Sequence, residues 1–396
     1  MRRKLGYIVF IISLGCNTID NLEPNQTDTF LKFYSETNEM NSKDLAVLED
    51  GYLIMSTYTE TSTLLLRTDT QGNKVWAKSF DNFLGSSLTV IVDSDISGYI
   101  LIGDRINTQN DSTYMQLIKT DVNGDSIASA QVGYGAQHGS AVTYSSTKEI
   151  IGLGYTSSGQ LNDTNDSTYI IVTGFDQNLV QTWQQVRSEP VLNVDITPSK
   201  SIFEDANGNL SYISYSSQDE VFTNINFTNK PPDSESPAGN SPLFTANSVS
   251  NNMGDFIKIP TGYAIAQSVL VSGASKIGIS NGSNDTILVE GDFAEGNFIA
   301  SAIVSSSNGL LIAATTDNHG IESARTDQDL LLIETNYNGT LKSDGINKMY
   351  GGIGDEIPVR IRRANDGGYI VLGTSINSKG AQQSFLLKTN SKGELN

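Results

Sequence analysis

Few side chains in this sequence combine the types and the spacing that chemistry requires. The sequence has two histidines, His138 and His319, and one cysteine, Cys16. This set is too small for a zinc or redox-metal cluster of ordinary ligand spacing. No Gly-x-Ser-x-Gly, phosphate-binding or dinucleotide-binding motif occurs between a strand and a helix. Each histidine fits a surface loop residue better than a ligand or a base, and no catalytic residue is assigned.

Carboxylates are the remaining residues with the chemistry for bond cleavage. A glycosidase needs two or three of them converging on the scissile bond, at a separation that sets the stereochemistry. Asp104, Asp355 and Glu356 are the candidates, although nothing in the sequence brings them within reach of one another. Trp76 and Trp183 occupy matching positions in their repeats, and packing explains them better than stacking on a sugar ring.

Calcium is the one metal whose oxygen ligands are abundant here. The run from Asp121 to Asp125 has the alternating acids that begin an EF-hand loop. Ser126 stands where the turn glycine belongs, and no glutamate occupies the twelfth position. A type I turn that exits through Gly124 explains the run better. No cofactor is therefore assigned, and calcium is kept as the weaker alternative.

A repeat positions these residues. A turn, a glycine and an apolar strand recur at about 50-residue spacing, which is typical of a four-stranded propeller blade. The occurrences stand at Gly51-Tyr52, Gly98-Tyr99, Glu149-Ile150, Gly208-Asn209-Leu210, Gly262-Tyr263, Gly309-Leu310 and Gly368-Tyr369.

A second feature of the repeat is a strand that ends in a hairpin. It reads Leu-Leu-Leu-Arg-Thr-Asp-Thr-Gln-Gly at 64–72, and related segments stand at 116–124, 331–339 and 385–393. One antiparallel meander cannot bury both of its faces, so the units must stack. The sequence therefore predicts an all-β fold, a seven-bladed β-propeller of four-stranded antiparallel blades. Six or eight blades stay open because the fourth unit is irregular.

The two ends of the chain predict how the ring closes. The seventh unit stops at Asn396, after its hairpin, and lacks an outer strand. Residues 30–34 resemble the outer strand at 76–80 and precede the first unit. Pairing this N-terminal strand with the last blade would close the ring and cover its edges. Unit four also carries a proline-rich insertion, Thr228 to Pro242, interpreted as extended.

The first residues predict export and lipid anchoring. Residues 1–4 are basic, residues 5–14 are apolar and too few to span a bilayer, and Gly15 precedes Cys16. This order resembles a bacterial lipobox, in which the cysteine is acylated and becomes the new N-terminus; an ordinary cleaved signal is the alternative. The predicted organisation is a signal peptide at 1–15, lipidated Cys16 with a polar tether at 16–28, and the propeller at 29–396.

The charge of the chain bears on its partners. The formal net charge is −19 at pH 7. An acidic body disfavours nucleic acid and anionic lipid as main partners, because both are polyanionic. Solubility at a cell surface explains the charge equally well.

Loop lengths predict which face of the propeller binds. The connections between second and third strands, such as 105–113 and 315–328, are longer and more polar than the other turns. Binding residues concentrate on the loop-bearing face of a rigid scaffold. We refer to it as the long-loop face. The candidate binding residues are Asp104, Asn107, Asp111, Tyr134, His138, Asp163, Asp166, Tyr350, Asp355 and Glu356.

A family resemblance narrows the setting. Residues 366–374 read Asp-Gly-Gly-Tyr-Ile-Val-Leu-Gly-Thr, residues 385–393 read Phe-Leu-Leu-Lys-Thr-Asn-Ser-Lys-Gly, and Tyr350-Gly351-Gly352 precedes them. This pattern resembles the propeller repeat of Bacteroidota surface proteins and lipoproteins, over residues 29–396. The resemblance implies an outer-membrane, outward-facing lipoprotein beside a β-barrel transporter or assembly machine. It implies no catalytic residue.

Two functional hypotheses follow. The first is an outer-membrane lipoprotein whose propeller is a non-enzymatic interaction module, an accessory subunit of a membrane β-barrel complex. The alternative is a cell-surface propeller that binds or cleaves glycans, with extracellular polysaccharide as its partner. Propellers host many functions, so the predicted fold does not choose between them.

Overall fold

The structure, a computed structural model, contains only strands and their connections in the residues that it describes. No helix in these residues has the length and apolarity to cross a membrane. The described residues are 28–36, 39–93, 97–109, 112–133, 137–156, 169–188, 196–198, 201–204, 210–216, 221–227, 238–245, 250–260, 262–272, 274–280, 287–289, 297–317 and 327–395.

Antiparallel strands form seven sheets in this part of the chain. The first strand, β1 (Phe30–Tyr34), belongs to the last sheet, and the others follow chain order. Sheet 1 contains β2 (Asn41–Leu48), β3 (Gly51–Thr59), β4 (Ser62–Thr68) and β5 (Lys74–Asp81). Sheet 2 contains β6 (Phe83–Val92), β7 (Ser97–Asn107), β8 (Ser112–Thr120) and β9 (Ser126–Val132). Sheet 3 contains β10 (Gln137–Tyr144), β11 (Ile150–Thr156), β12 (Tyr169–Phe175) and β13 (Gln181–Ser188).

The remaining sheets repeat this order of neighbours. Sheet 4 contains β14 (Ile196–Pro198), β15 (Phe203–Glu204), β16 (Leu210–Ser216), β17 (Val221–Phe227) and β18 (Ala238–Thr245). Sheet 5 contains β19 (Ser250–Ile259), β20 (Gly262–Val271), β21 (Ala274–Ser280) and β22 (Ile287–Leu288). Sheet 6 contains β23 (Phe298–Ser305), β24 (Leu310–Thr316), β25 (Asp329–Thr335) and β26 (Asn347–Tyr350). Sheet 7 contains β27 (Asp355–Arg363), β28 (Tyr369–Ile376), β29 (Gln382–Thr389) and β1.

Burial follows the position of a strand in its sheet. Every residue of β4, β24 and β25 is buried, whereas β5 and β26 contain only exposed and half-buried residues. A strand buried on both faces reads as a continuous apolar run, which is the pattern seen in the repeats. The second and third strands therefore lie between neighbouring sheets, and the fourth strands lie at the outside.

Hydrophobic clusters join each of six consecutive sheet pairs. Leu53 and Met55 of sheet 1 pack with Leu101 of sheet 2, and Ile54 of sheet 1 packs with Leu372 of sheet 7. Sheets 2 and 3, 3 and 4, 5 and 6, and 6 and 7 share similar clusters. Phe203 and Phe256 join sheets 4 and 5 with their rings edge to face, 5.0 Å apart. Each sheet thus buries its apolar faces against its two neighbours, as the repeat predicts.

The predicted pairing of the N-terminal strand with the last unit is confirmed. Strand β1 runs antiparallel to β29, with Phe30 opposite Lys388 and Tyr34 opposite Ser384. A second contact holds this end of the chain, because the Ser42 hydroxyl donates to the carbonyl of Gly373 at 2.6 Å. Sheets 1 and 7 are therefore linked both by a shared strand segment and by buried polar groups.

Some predicted loops are shorter in the structure. The polar composition of the stretch Ser56–Ser62 is typical of a loop, yet β3 continues to Thr59 and leaves only two residues before β4. Polar residues continue the strand because they find buried partners: the Ser56 and Ser384 hydroxyls are 2.8 Å apart. The end of the predicted insertion at 228–242 is also strand, since β18 begins at Ala238. Residues 228–237 lie outside the described residues.

Six of the first strands contain a bulge near the centre of the molecule. Strands β2, β6, β10, β19, β23 and β27 all shift register near their middle, and a bulge resets the alternation of side chains. The residues that follow these bulges are buried: Asp44, Ser87, Ala141, Asp255, Ala302 and Arg360. Arg360 Nε lies 2.8 Å from Asp44 Oδ1, and Nη1 lies 2.8 Å from Asp255 Oδ2. We call this set the axial layer.

The third and fourth strands, with their hairpins, form what we call the rim. The hairpin glycine of one sheet lies against the outer strand of the preceding sheet. A Cβ on Gly124 would come within 2.7 Å of the Trp76 ring, and one on Gly72 within 2.6 Å of the Phe30 ring. Gly124 also has a φ of 80°, which favours glycine. Asp125, the residue after Gly124, adds an ion pair to this contact: its Oδ1 lies 2.6 Å from Lys78 Nζ.

Candidate functional site

The structure brings two of the predicted site residues together on the long-loop face. Asp104 belongs to β7 and His138 to β10, and Asp104 Oδ2 lies 2.7 Å from His138 Nδ1. The backbone N–H of Gly139 donates to Asp104 Oδ1 at 2.9 Å. A carboxylate in this position accepts the Nδ1 proton and leaves Nε2 as the acceptor. The pair therefore has the arrangement of an oriented base.

Two residues that the sequence did not single out complete this group. The Tyr155 ring stacks on the His138 imidazole, with centroids 5.0 Å apart and planes at 30°. Burial lowers the pKa of Lys43, on β2, and the charge of Asp104 opposes that shift. We call Lys43, Asp104, His138 and Tyr155 the dyad cluster.

The sequence carried little signal for these two residues. Lys43 lies at the bulge between Ser42 and Asp44, and no residue type in the β2 segment announces a bulge. Tyr155 is opposite His138 across the β10–β11 pair, so only the register puts the two rings together. The His138 and Asp104 side chains are 24% and 19% exposed, which leaves the group open to a ligand from solution.

Asp355 and Glu356 bond to the backbone of the segments before β25 and between β26 and β27. The Gln328 N–H donates to Asp355 Oδ1 at 2.9 Å. Glu356 Oε1 accepts from the Ser375 hydroxyl at 3.2 Å, and Oε2 accepts from the Gly352 N–H at 3.2 Å. Burial, together with the nearby charges of Asp329 and Asp327, raises the pKa of Glu356. These carboxylates belong to sheet 7, whereas the contact of Asp104 is with His138 of sheet 3.

Two further candidates have local partners. The Tyr350 hydroxyl donates to the carbonyl of Gly393, in the hairpin of the next sheet. Burial and then Glu394 raise the pKa of Tyr350 to about 12. Asn107 ends β7, and its side-chain oxygen accepts from the Gln109 N–H at 3.0 Å. The candidates that lie outside the described residues are Cys16, Asp111, Tyr134, Asp163 and Asp166, together with His319.

The acidic run at Asp121–Asp125 is explained by its turn. Asp121 Oδ1 accepts the N–H groups of Asn123 and Asp125, each at 2.9 Å. The Gly124 N–H donates to the Asp121 carbonyl at 3.1 Å, and Gly124 takes a positive φ. The same carboxylate pattern recurs at Asp69 and Asp176. Among the described residues, no group of three or more His, Cys, Asp or Glu side chains is arranged to hold a metal ion.

A cavity lies on the other side of the axial layer. Its volume is about 510 Å³, and its walls come from all seven sheets, through the first strands of six of them and residues 201–203 of sheet 4. Lining residues follow the bulges in each strand, as Leu45–Val47 do after Asp44, so the cavity opens toward the short turns that lead to the second strands. Lys43 precedes the same bulge. The two sides of the axial layer therefore present different sites.

Comparison with known proteins supports the class of fold. Stacked four-stranded meanders whose first strands surround one cavity define an all-β protein of β-propeller type. A crystal structure of the polysaccharide lyase Uly1 is similar, with a TM-score of 0.51 and 9% identity over 96% of this chain and 94% of that one. The β-propeller domain of the Trilobed protease from Pyrococcus furiosus has a TM-score of 0.49 and 10% identity, over 92% and 97% of the two chains.

Sequence comparison adds no relative. No protein-family model matches the chain, and no curated protein matches it. At 9% identity, the likeness to the lyase is one of fold alone.

Proposed function

We propose that this chain is a lipid-anchored, seven-bladed β-propeller of the bacterial outer membrane. Support for the blade count comes from the seven sheets, the contacts between consecutive sheets and the cavity that residues of all seven sheets line. The pairing of β1 with β29 supports closure through the N-terminal strand. The anchor rests on Cys16 and its flanking residues.

The proposed role is an interaction module that binds its partner through the long-loop face. The observation that carries this role is the dyad cluster, whose partly exposed Asp104–His138 pair and Tyr155 ring come from two neighbouring sheets of a rigid scaffold. The hairpin face offers less, because its turn residues are bonded to neighbouring outer strands. An accessory subunit of a membrane β-barrel complex is the partner class proposed from the family resemblance.

The test is purification of the tagged, lipidated chain from mild detergent, with partners identified by mass spectrometry. Treatment of intact cells with protease reports separately whether the propeller faces outward. We expect a stoichiometric β-barrel partner that is lost in the double variant Asp104→Asn/His138→Gln. Lys392→Gln is the matched control, because Lys392 is exposed in a hairpin of the opposite face. Purification of the chain alone, with no partner in any detergent, would contradict the role.

The dyad cluster also favours a second candidate, the binding or cleavage of glycans. An imidazole held by a carboxylate at Nδ1 can take a proton at Nε2, which is the task of a general base. Tyr155 offers an aromatic ring and a hydroxyl beside it. A panel of polysaccharides is used to test this candidate, since one similar structure is that of a polysaccharide lyase.

The two candidates separate in one assay. Neutral and uronic-acid polysaccharides are incubated with the protein. The amount of polysaccharide bound and the number of newly formed polysaccharide ends are then measured. For cleavage we expect His138→Gln to abolish product while binding persists, and Lys392→Gln to change neither. Absence of binding across the panel would reject the glycan candidate and leave the protein-partner role standing.

A further inference from the structure

The cavity on the short-turn side of the axial layer has mostly apolar walls and a polar floor. Its walls include side chains from six different first strands, and the floor is the axial layer. Apolar lining residues include Val47, Val90, Val142, Phe256, Ile257 and Val304. A volume of 510 Å³ lies within the range of small-molecule sites, which are usually apolar pockets with a few placed polar groups.

The carboxylate on the floor of the cavity is already fully bonded. Asp44 Oδ1 accepts from Arg360 Nε and from the Leu45 N–H, each at 2.8 Å. Asp44 Oδ2 accepts from the Ser87 hydroxyl and the Leu88 N–H, each at 2.9 Å. Two oxygens offer about four acceptor positions, so Asp44 has none left for another donor.

Arg362 is a cation of the cavity lining that this arrangement leaves with donors to spare. Its Nη2 lies 3.7 Å from Asp44 Oδ1, too far for a hydrogen bond. The hydrogen bond found for its guanidinium among the described residues is from Nη1 to the Ile361 carbonyl, at 3.1 Å. The side chain is 32% exposed and lines the cavity. Burial and the charge of Arg360 lower the pKa of Arg362, so a bound anion would stabilise its charged form.

We propose that this cavity binds a small organic anion, with its carboxylate, sulfonate or phosphate head on Arg362 and an apolar body against the cavity walls. A guanidinium pairs with two oxygens of such a head through parallel hydrogen bonds. The apolar walls then select against simple inorganic anions, because these have no apolar surface to bury. This site lies across the axial layer from the dyad cluster and does not depend on the function proposed for the long-loop face.

The test uses the chain with Cys16→Ser, which removes the proposed acylation site and changes no described residue. The probe is 8-anilinonaphthalene-1-sulfonate, an apolar anion whose fluorescence rises on burial. Decanoate, decan-1-ol and inorganic phosphate are added as competitors. The variants are Arg362→Gln, Arg362→Lys and the charge-matched control Lys392→Gln, each checked for folding by circular dichroism.

We expect saturable binding of the probe, displaced by decanoate but not by decan-1-ol or phosphate at the same concentration. Arg362→Gln should weaken binding about tenfold or more, the loss expected for a hydrogen-bonded charge pair, and Arg362→Lys should weaken it less. Lys392→Gln should match the unmodified chain. The proposal is overturned by absent binding, by equal displacement with decan-1-ol, or by an Arg362→Gln affinity within about twofold of the control.

Discussion

The axis and the rim both bury charged side chains, but they neutralise them in different ways. At the axis, Arg360 lies between two carboxylates, Asp44 and Asp255, and all three side chains are at most 3% exposed. At the rim, the Lys388 side chain is 2% exposed, whereas that of its partner Asp366 is 37% exposed. The axial ions are therefore neutralised by one another and by buried hydrogen-bond donors, without water, whereas the rim cation is paired with a group that water also reaches.

The rim arrangement repeats, and its variation is instructive. The position after the apolar run is occupied by Arg67, Lys119, Glu334 and Lys388, all of them buried. Arg67 pairs with Asp50 in the turn before β3, as Lys388 pairs with Asp366. In sheet 6 the signs are reversed, and Glu334 Oε1 lies 2.7 Å from Lys342 Nζ.

In sheet 3, an uncharged residue occupies this rim position. Gly174 stands there, opposite Trp183. The Trp183 ring fills the space, and its Nε1 donates to Glu149 Oε1 at 3.3 Å. Trp76 packs against Gly124 in the same part of sheet 1. Both tryptophans are therefore packing residues, as expected from their positions.

The comparison predicts its largest effect at Arg360. Arg360→Met keeps much of the side-chain volume but leaves Asp44 and Asp255 buried without their cation. We expect the free energy of unfolding to fall by about 3–5 kcal/mol, as measured by urea denaturation. The triple variant Asp44→Asn/Asp255→Asn/Arg360→Met should recover part of that loss. Arg363→Met is the control, because Arg363 is an exposed residue on the same strand. Equal losses of stability for the two variants would refute the claim that the buried ion group is the cause.

The axis should also dominate the response to acid. Burial raises the pKa of Asp44, but Arg360, Arg362 and two backbone N–H groups outweigh it and hold the pKa below its ordinary value of 3.8. The unfolded chain then binds more protons, so this contribution to stability is present above that value and is lost as the pH falls through the folded pKa. Urea midpoints from pH 7 downward should fall less steeply for Asp44→Asn. A parallel decline in both proteins would contradict the assignment.

At the rim, the order of two substitutions is the informative result. Asp366→Asn leaves the buried Lys388 ammonium with the Thr389 carbonyl and a neutral amide, at a cost of about 1–3 kcal/mol. Lys388→Met leaves a carboxylate that water can hydrate, so its cost should be about 1 kcal/mol or less. Thermal and urea unfolding of the two variants measure this order. A larger loss for Lys388→Met than for Asp366→Asn would contradict this account, because it would mean that the exposed carboxylate depends on the ion pair more than the buried ammonium does.

The smallest effect is expected where the rim is most exposed. The side chains of Lys78 and Asp125 are 37% and 60% exposed, and their ion pair joins the sheet 1 outer strand to the sheet 2 hairpin. Lys78→Gln should change the free energy of unfolding by about 0.5 kcal/mol or less, because solvent screens exposed pairs. A loss above about 1 kcal/mol would show that the hairpin contact holds the sheets together electrostatically rather than through the Trp76–Gly124 packing.

Much of the fold could be predicted from the sequence because its causes are local. Short apolar runs, Gly and Asn/Asp turns and a repeat of about 50 residues predict stacked antiparallel meanders. The incomplete last unit and the strand-like residues 30–34 predict the pairing of β1 with β29, which the structure confirms. The turn at Asp121–Gly124 was predicted from residue types alone, since only its own backbone groups satisfy it.

The sites could be predicted only in part. Asp104 and His138 were chosen by their place on one face, but their 2.7 Å contact joins two sheets. The bulge between Ser42 and Asp44, which precedes the buried carboxylate of the axial layer, has no sequence signature. Signal peptide, lipid anchor, membrane location and partner remain predictions from the sequence.

Residue types and their spacing define the repeating unit: where its strands run, where they turn and which of them must be covered on both faces. What the units enclose depends on how they assemble. Asp44, Asp255 and Arg360 belong to three separate repeats, and none of them differs in type from a surface residue. They meet because first strands of different sheets surround one centre, where a buried charge needs the opposite charge of another sheet in addition to its hydrogen bonds.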